Sequence, residues 1–137
     1  EKIPAVSLRI TLKPHEKIYI NGALISNGDT PSSIFLENKA RLLREKDILT
    51  PDKAKTVCEN IYLVVQMMYF DPGNIPALHK DYWELVRKLI QAAPSTSLMV
   101  HEISECVFVE NYYGALKLAK KLIAYEQNLM NNAHTAQ

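Results

Sequence analysis

The stretch ENKARLLREKDIL, residues 37–49, sets four cations (Lys39, Arg41, Arg44 and Lys46) among three acids (Glu37, Glu45 and Asp47), around Leu42 and Leu43. Arginine is the side chain that most readily reads a polyanion. Its planar guanidinium forks onto a phosphate or a guanine edge and also stacks on exposed bases. If these residues lie on a strand, Leu42 and Leu43 point in opposite directions, and one can anchor the strand while Arg44 projects outward. Arg9 and Lys13, far upstream, supply further cations on what reads as the first strand. The candidate set is therefore Arg44, Arg41, Arg9 and Lys13. A competing reading is that these charges only solubilise a sheet edge, since charge runs are usually solvated faces.

Other chemistry is not signalled. The chain has no glycine-rich phosphate loop, no GxSxG and no HExxH. His15, His79, His101 and His134 are scattered, and no cysteine or carboxylate pair stands at metal-ligand spacing. Asp81 and Glu84 sit three apart, as on a solvated helix face. The expectation is a protein that is not an enzyme and has no cofactor or metal. Cys58 and Cys106, with no CxxC spacing, read as buried reduced thiols of a cytoplasmic protein. The longest apolar run, Ile61 to Val65, is far too short to span a bilayer, and no signal peptide is visible. A net charge of +1 argues against a surface wrapped in nucleic acid and leaves room for a local patch. Residues 5–49 carry seven Lys or Arg against five Asp or Glu, whereas residues 50–137 carry eight against nine. The first part is thus slightly the more anion-facing.

These side chains must be positioned by two kinds of element. In SLRITLK, Leu8, Ile10 and Leu12 alternate with Arg9, Thr11 and Lys13, the period of a half-buried strand. EKIYI repeats the pattern. Asn21-Gly22 and Asn27-Gly28 flank Ala23 to Ser26, and Asn-Gly is a strong hairpin signal, so a tight meander is expected. SSIFLE and ARLLRE complete a small antiparallel sheet of four or five strands. After Thr50-Pro51, read as N-cap and first helical position, the period becomes 3.6. Ala54, Val57, Cys58, Ile61, Val64, Val65 and Met68 mark a first helix, and Leu78, Tyr82, Leu85, Leu89 and Ile90 a second. Ser95 or Ser97 would cap a third, carrying Ile103, Cys106 and Val107. Asn111 would cap a fourth, carrying Tyr112, Leu116, Ala119, Leu122 and Ile123. Trp83 and the Tyr112-Tyr113 pair read as core, and Lys117, Lys120 and Lys121 as a solvated face. The expected class is α+β, with a strand subdomain over 5–49, a helical subdomain over 50–127 and a flexible tail over 128–137.

The segments LKPHEKIYINGALISNGD, ENKARLLREKDIL, QMMYFDP and YYGALKLAKKLIAYE resemble the flagellin-synthesis regulator family FlbT of alphaproteobacteria, in order, from Leu8 to Glu126. The resemblance implies a cytoplasmic post-transcriptional regulator acting on the 5′ untranslated region of flagellin mRNA. In some relatives it represses translation and destabilises the message; in others it promotes flagellin synthesis. It also implies a second small protein, the flagellar regulator FlaF, as a functional partner. The strand half in addition resembles the RNA-binding carbon-storage regulator CsrA. SLRITLKPHEKIYI is similar to that family's first strand, turn and second strand, and LLREKDI places Arg44 on its RNA-contacting arginine. Two positions depart from it: Leu12 replaces a basic residue and His15 replaces the turn glycine.

The resemblance turns the weighing toward RNA for Arg44 and leaves Arg41 evenly poised. The expected function is binding of the flagellin mRNA 5′ leader. The competing class is an adaptor or chaperone that takes flagellin or FlaF on the helical half, with no membrane involved. Short strands bury little surface and leave open edges, so a homodimer built through the strand half is also expected.

Overall fold

The computed structural model describes residues 7–135. It is α+β: five short strands precede four α-helices. The chain divides into two compact units that part between Ile48 and Leu49.

The strands are β1 (Leu8–Leu12), β2 (Lys17–Ile20), β3 (Ala23–Ser26), β4 (Ser32–Leu36) and β5 (Leu42–Arg44). They form two antiparallel sheets, β1-β4 and β3-β2-β5, in place of the single expected meander. The two Asn-Gly pairs behave differently. Asn21 and Gly22 take φ of 45° and 94°, the positive values a type I′ turn needs, and Ile20 faces Ala23 across the hairpin. Neither Asn27 nor Gly28 is among the described residues with positive φ. Instead the Asn27 side-chain amide donates to the carbonyls of Lys13 (2.8 Å) and Thr30 (3.0 Å), and its Oδ1 accepts from Ser32 Oγ at 2.7 Å. That side chain props open a wider loop, and β4 returns to pair with β1. The pairing is favourable because Ile34 and Leu36 then pack on Ile10, Leu12 and Ile18, the buried centre of this unit, together with Ile20 and Leu42. At the β1–β2 turn His15 has φ +62°, the left-handed backbone that a glycine adopts without steric cost.

The helices are α1 (Val57–Phe70), α2 (Ile75–Ala92), α3 (Ser97–Phe108) and α4 (Tyr112–Thr135). α1 packs between α2 and α4, and α3 packs on α4. Thr50-Pro51 opens only a turn of 3-10 helix, and Thr50 makes no capping bond. The helix proper starts at Thr56, whose Oγ1 accepts the Glu59 N–H (3.1 Å) while the Glu59 carboxylate accepts the Thr56 N–H (3.0 Å). This reciprocal box satisfies two of the orphan donors at a helix start, which a proline at N1 cannot do. The Glu59 carboxyl is held below the ordinary range, first by the Lys55 and Thr56 N–H groups.

Neither serine caps α3: Ser97 Oγ donates to the Pro94 carbonyl, beside Thr96 Oγ1 donating to that of Ala93. Asn111 does cap α4, its Oδ1 accepting the Gly114 N–H at 3.0 Å. α4 runs on to Thr135, past the point where a flexible tail was expected. Residues 127–135 include no glycine or proline, and each residue added to an existing helix closes one more hydrogen bond.

Ile61, Val65, Met68, Tyr82, Leu89, Ile103, Leu116, Ala119 and Leu122 are buried, as the periodicity requires. Trp83 and Tyr113 are not core: they are 45% and 47% exposed. Two polar groups tie the unit together. The buried Gln66 amide exchanges two 2.8 Å bonds with the backbone of Leu49, and the Tyr82 hydroxyl lies 2.8 Å from Ser104 Oγ. Burial, with Glu126 nearby, pushes the Cys58 thiol up to about 12, so it stays protonated and unreactive. Cys106 is half-buried, and both thiols are free.

Candidate nucleic-acid interface

β1 carries Arg9 outward because Ile10 and Leu12, one position out of phase, are taken into the core. Directly opposite Arg9 in the ladder stands Phe35 of β4, and opposite Thr11 stands Ser33. Phe35 is 58% exposed. The Arg9 guanidinium reaches Ser33 Oγ at 3.4 Å. One face of the β1-β4 ribbon therefore combines a cation, an exposed aromatic ring and two hydroxyls.

Lys13 follows at the end of β1, exposed, with its backbone N–H donating to Glu16 Oε1 at 2.8 Å. Arg44 ends β5, and its position differs from the outward projection expected. Its Nη2 donates to the Thr11 carbonyl (2.7 Å) and pairs with Glu16 Oε2 (3.1 Å), leaving the side chain 35% exposed. The Glu16 carboxyl is held below its ordinary value, first by the Lys13 N–H and then by Arg44. β1 and β5 are not ladder neighbours; the Arg44 side chain bridges them, landing on the residue midway between Arg9 and Lys13.

Arg41 is exposed and stands apart, at the hairpin end of β5. Its backbone N–H donates to Asn21 Oδ1 (2.7 Å) and its carbonyl accepts the Asn21 N–H (2.9 Å). The fold thus gathers Arg9, Lys13 and Arg44 and leaves Arg41 outside the group. Arg44 serves the fold, while Arg9 is open to solvent.

Sequence reasoning missed Phe35. The signal was present: with Ile34 and Leu36 inward, the alternation of SSIFLE puts Phe35 on the outer face. An aromatic beside a guanidinium on a sheet is a stacking platform for unpaired bases. The helical unit offers a different surface, with Leu98, Phe108 and Val109 exposed at the ends of α3. Among the described residues, no group of His, Cys, Asp or Glu could hold a metal ion, and no helix is long and apolar enough to cross a membrane.

Fold and surface define a small α+β protein with a guanidinium and an aromatic ring displayed together on a two-stranded ribbon. The chain belongs to the FlbT family: the family model described as "Flagellar protein FlbT" matches residues 8–130. It is 40% identical over 124 residues to the probable flagellum biosynthesis repressor protein FlbT of Rhodopseudomonas palustris, covering 90% of this chain and 98% of the relative. It is 38% identical over 125 residues to the probable flagellum biosynthesis repressor protein FlbT 1 of Bradyrhizobium diazoefficiens, covering 90% and 85%. With the flagellum biosynthesis repressor protein FlbT of Caulobacter vibrioides the identity is 35% over 127 residues, covering 91% and 90%. No solved structure matches the chain.

Proposed function

We propose that this chain regulates flagellin synthesis after transcription, by binding the 5′ untranslated region of flagellin mRNA and controlling its translation and stability. The observation that carries the reading is the outer face of β1-β4, where Arg9 stands opposite an exposed Phe35. Unpaired bases of a leader stack on the ring while Arg9 and Lys13 neutralise phosphates. Arg44 holds the β1–β2 turn through Thr11 and Glu16, its charge matched by the Glu16 carboxylate. The names of the relatives, which are repressors of flagellum biosynthesis, agree in direction. The protein acts in the cytoplasm, where the message is.

A second reading makes the protein an adaptor whose helical unit takes flagellin or FlaF, with indirect effects on the message. The exposed Phe108 and Val109, adjacent at the C-terminal end of α3, favour it. One experiment separates the two: titration of the purified chain against labelled flagellin 5′ leader RNA and, in parallel, against purified flagellin and FlaF. Salt-sensitive binding of the leader, lost in Arg9→Ala, supports the first reading. Binding of protein alone, abolished by Phe108→Asp and indifferent to Arg9→Ala, replaces it with the second.

A further inference from the structure

Among the described residues, β3 is an edge strand, open on the side away from β2. It pairs with β2 on one side only, and all of Ala23, Leu24, Ile25 and Ser26 are exposed. Leu24 is 61% and Ile25 40% accessible, on opposite faces of the strand. Exposed edges are usually blunted by lysine, proline or a bulge. From Ile18 to Gly28 there is no charged residue and no proline.

The ladder fixes which backbone groups are free. The two-residue turn closes on Ile20 and Ala23, so these exchange both hydrogen bonds. Alternation then makes Ile18 and Ile25 the next bonded pair. The N–H groups of Lys17 and Asn21 point to the β5 side, donating to the Glu45 carboxylate and the Arg41 carbonyl, which agrees. It follows that Leu24 and Ser26 present their N–H and C=O groups to the open edge.

We infer that this edge is where a second copy of the chain docks, β3 against β3 in antiparallel pairing about a two-fold axis at Ile25. In that register Leu24 and Ser26 of one copy bond to Ser26 and Leu24 of the other, completing four backbone hydrogen bonds. Ile25 meets its own counterpart as a non-hydrogen-bonded pair, the closer kind of cross-strand contact. The pairing extends the row Arg44, Ile18, Ile25 across the axis, so the apolar row that begins in the core at Ile18 no longer ends in solvent. An identical partner fits because the edge is self-complementary and none of Ala23 to Ser26 is charged, so no like charges stand directly opposite one another in the new ladder; the Lys17 ammonium lies beside it, on Ser26 Oγ at 3.0 Å. The sheet becomes six-stranded, β5-β2-β3 twice over.

Two four-residue strands bury well under the roughly 1,200 Å² of a standard interface, so dissociation in the range of about 10–100 μM is expected. Sedimentation velocity of the full chain, from about one-tenth to ten times that constant, should show a shift from one to two chain masses. Ile25→Lys places two cations on the axis and should hold the protein monomeric throughout, with an unchanged far-UV circular dichroism spectrum. Ile25→Cys should form a covalent dimer under mild oxidation, because Cα atoms of a non-hydrogen-bonded pair lie about 4.5 Å apart, inside the range of about 4.4–6.8 Å that a disulfide spans. Phe35→Cys, away from the axis, should not, nor should the wild type with its Cys58 and Cys106. A wild type that stays monomeric over the whole range overturns the inference. So does an Ile25→Lys variant that still dimerises, or cross-linking no better at residue 25 than at residue 35.

Discussion

Phe35→Ala is the sharpest probe of the strand surface. The ring is 58% exposed, while its neighbours Ile34 and Leu36 face the core, so removing it opens no cavity. Stability should change by less than about 0.5 kcal/mol, the usual range for a surface position. Binding should respond far more. A base stacked on an aromatic side chain is worth about 1–3 kcal/mol by alanine substitution. At 1.4 kcal/mol per tenfold, that raises the Kd for leader RNA by about 5- to 150-fold. Phe35→Tyr keeps a π face and should bind close to wild type. Fluorescence anisotropy with a labelled leader at several salt concentrations gives both the Kd and its salt slope. Phe35→Ala should leave the slope unchanged, since no phosphate contact is lost. Lys13→Ala should reduce it by about 0.7, the share of one contact on a single strand. An unchanged Kd in a folded Phe35→Ala protein refutes the stacking argument. A loss that appears only as a smaller salt slope refutes it equally, because that would make the site purely electrostatic.

Arg44→Ala should lower the unfolding temperature, because it removes the donor to the Thr11 carbonyl and the cation paired with Glu16; Arg9→Ala should not, and equal melts for the two would contradict the structural role given to Arg44. Thr56→Ala removes the capping box and should cost about 1 kcal/mol in urea unfolding, whereas Thr50→Ala, which loses no capping bond, should cost far less. Glu16 and Glu59 both have depressed carboxyl pKa values. A depressed folded pKa stabilises above the unfolded value and the benefit is lost as pH falls through the folded one. The melting temperature should therefore decline as pH drops below the ordinary carboxyl value of 4.5, and a flat profile through that window would tell against both assignments.

Local signals settled much of this protein before any packing was known. The alternation around Ile10 and Leu12 made a strand, Asn21-Gly22 made a hairpin, and the 3.6 period read after Thr50-Pro51 made helices that bury Ile61, Met68, Tyr82 and Leu122, the first of them starting only at Val57. These are properties of a few consecutive residues, so a sequence carries them whole. Partner choice is not such a property. Asn27-Gly28 has the same letters as Asn21-Gly22, yet the Asn27 amide finds the Lys13 carbonyl, fourteen residues away, and a hairpin is lost. β4 pairs with β1 and not with its neighbour β3, and in that pairing Ile34 and Leu36 pack on the strand core. That choice sets Phe35 beside Arg9 and leaves β3 open on one side. Arg44 likewise reads as a free cation along the chain, and becomes a tether only where the fold brings Glu16 and the Thr11 carbonyl within reach. Residue types declared which side chains could bind a polyanion. Long-range burial, which no local window records, decided which of them stand together in solvent.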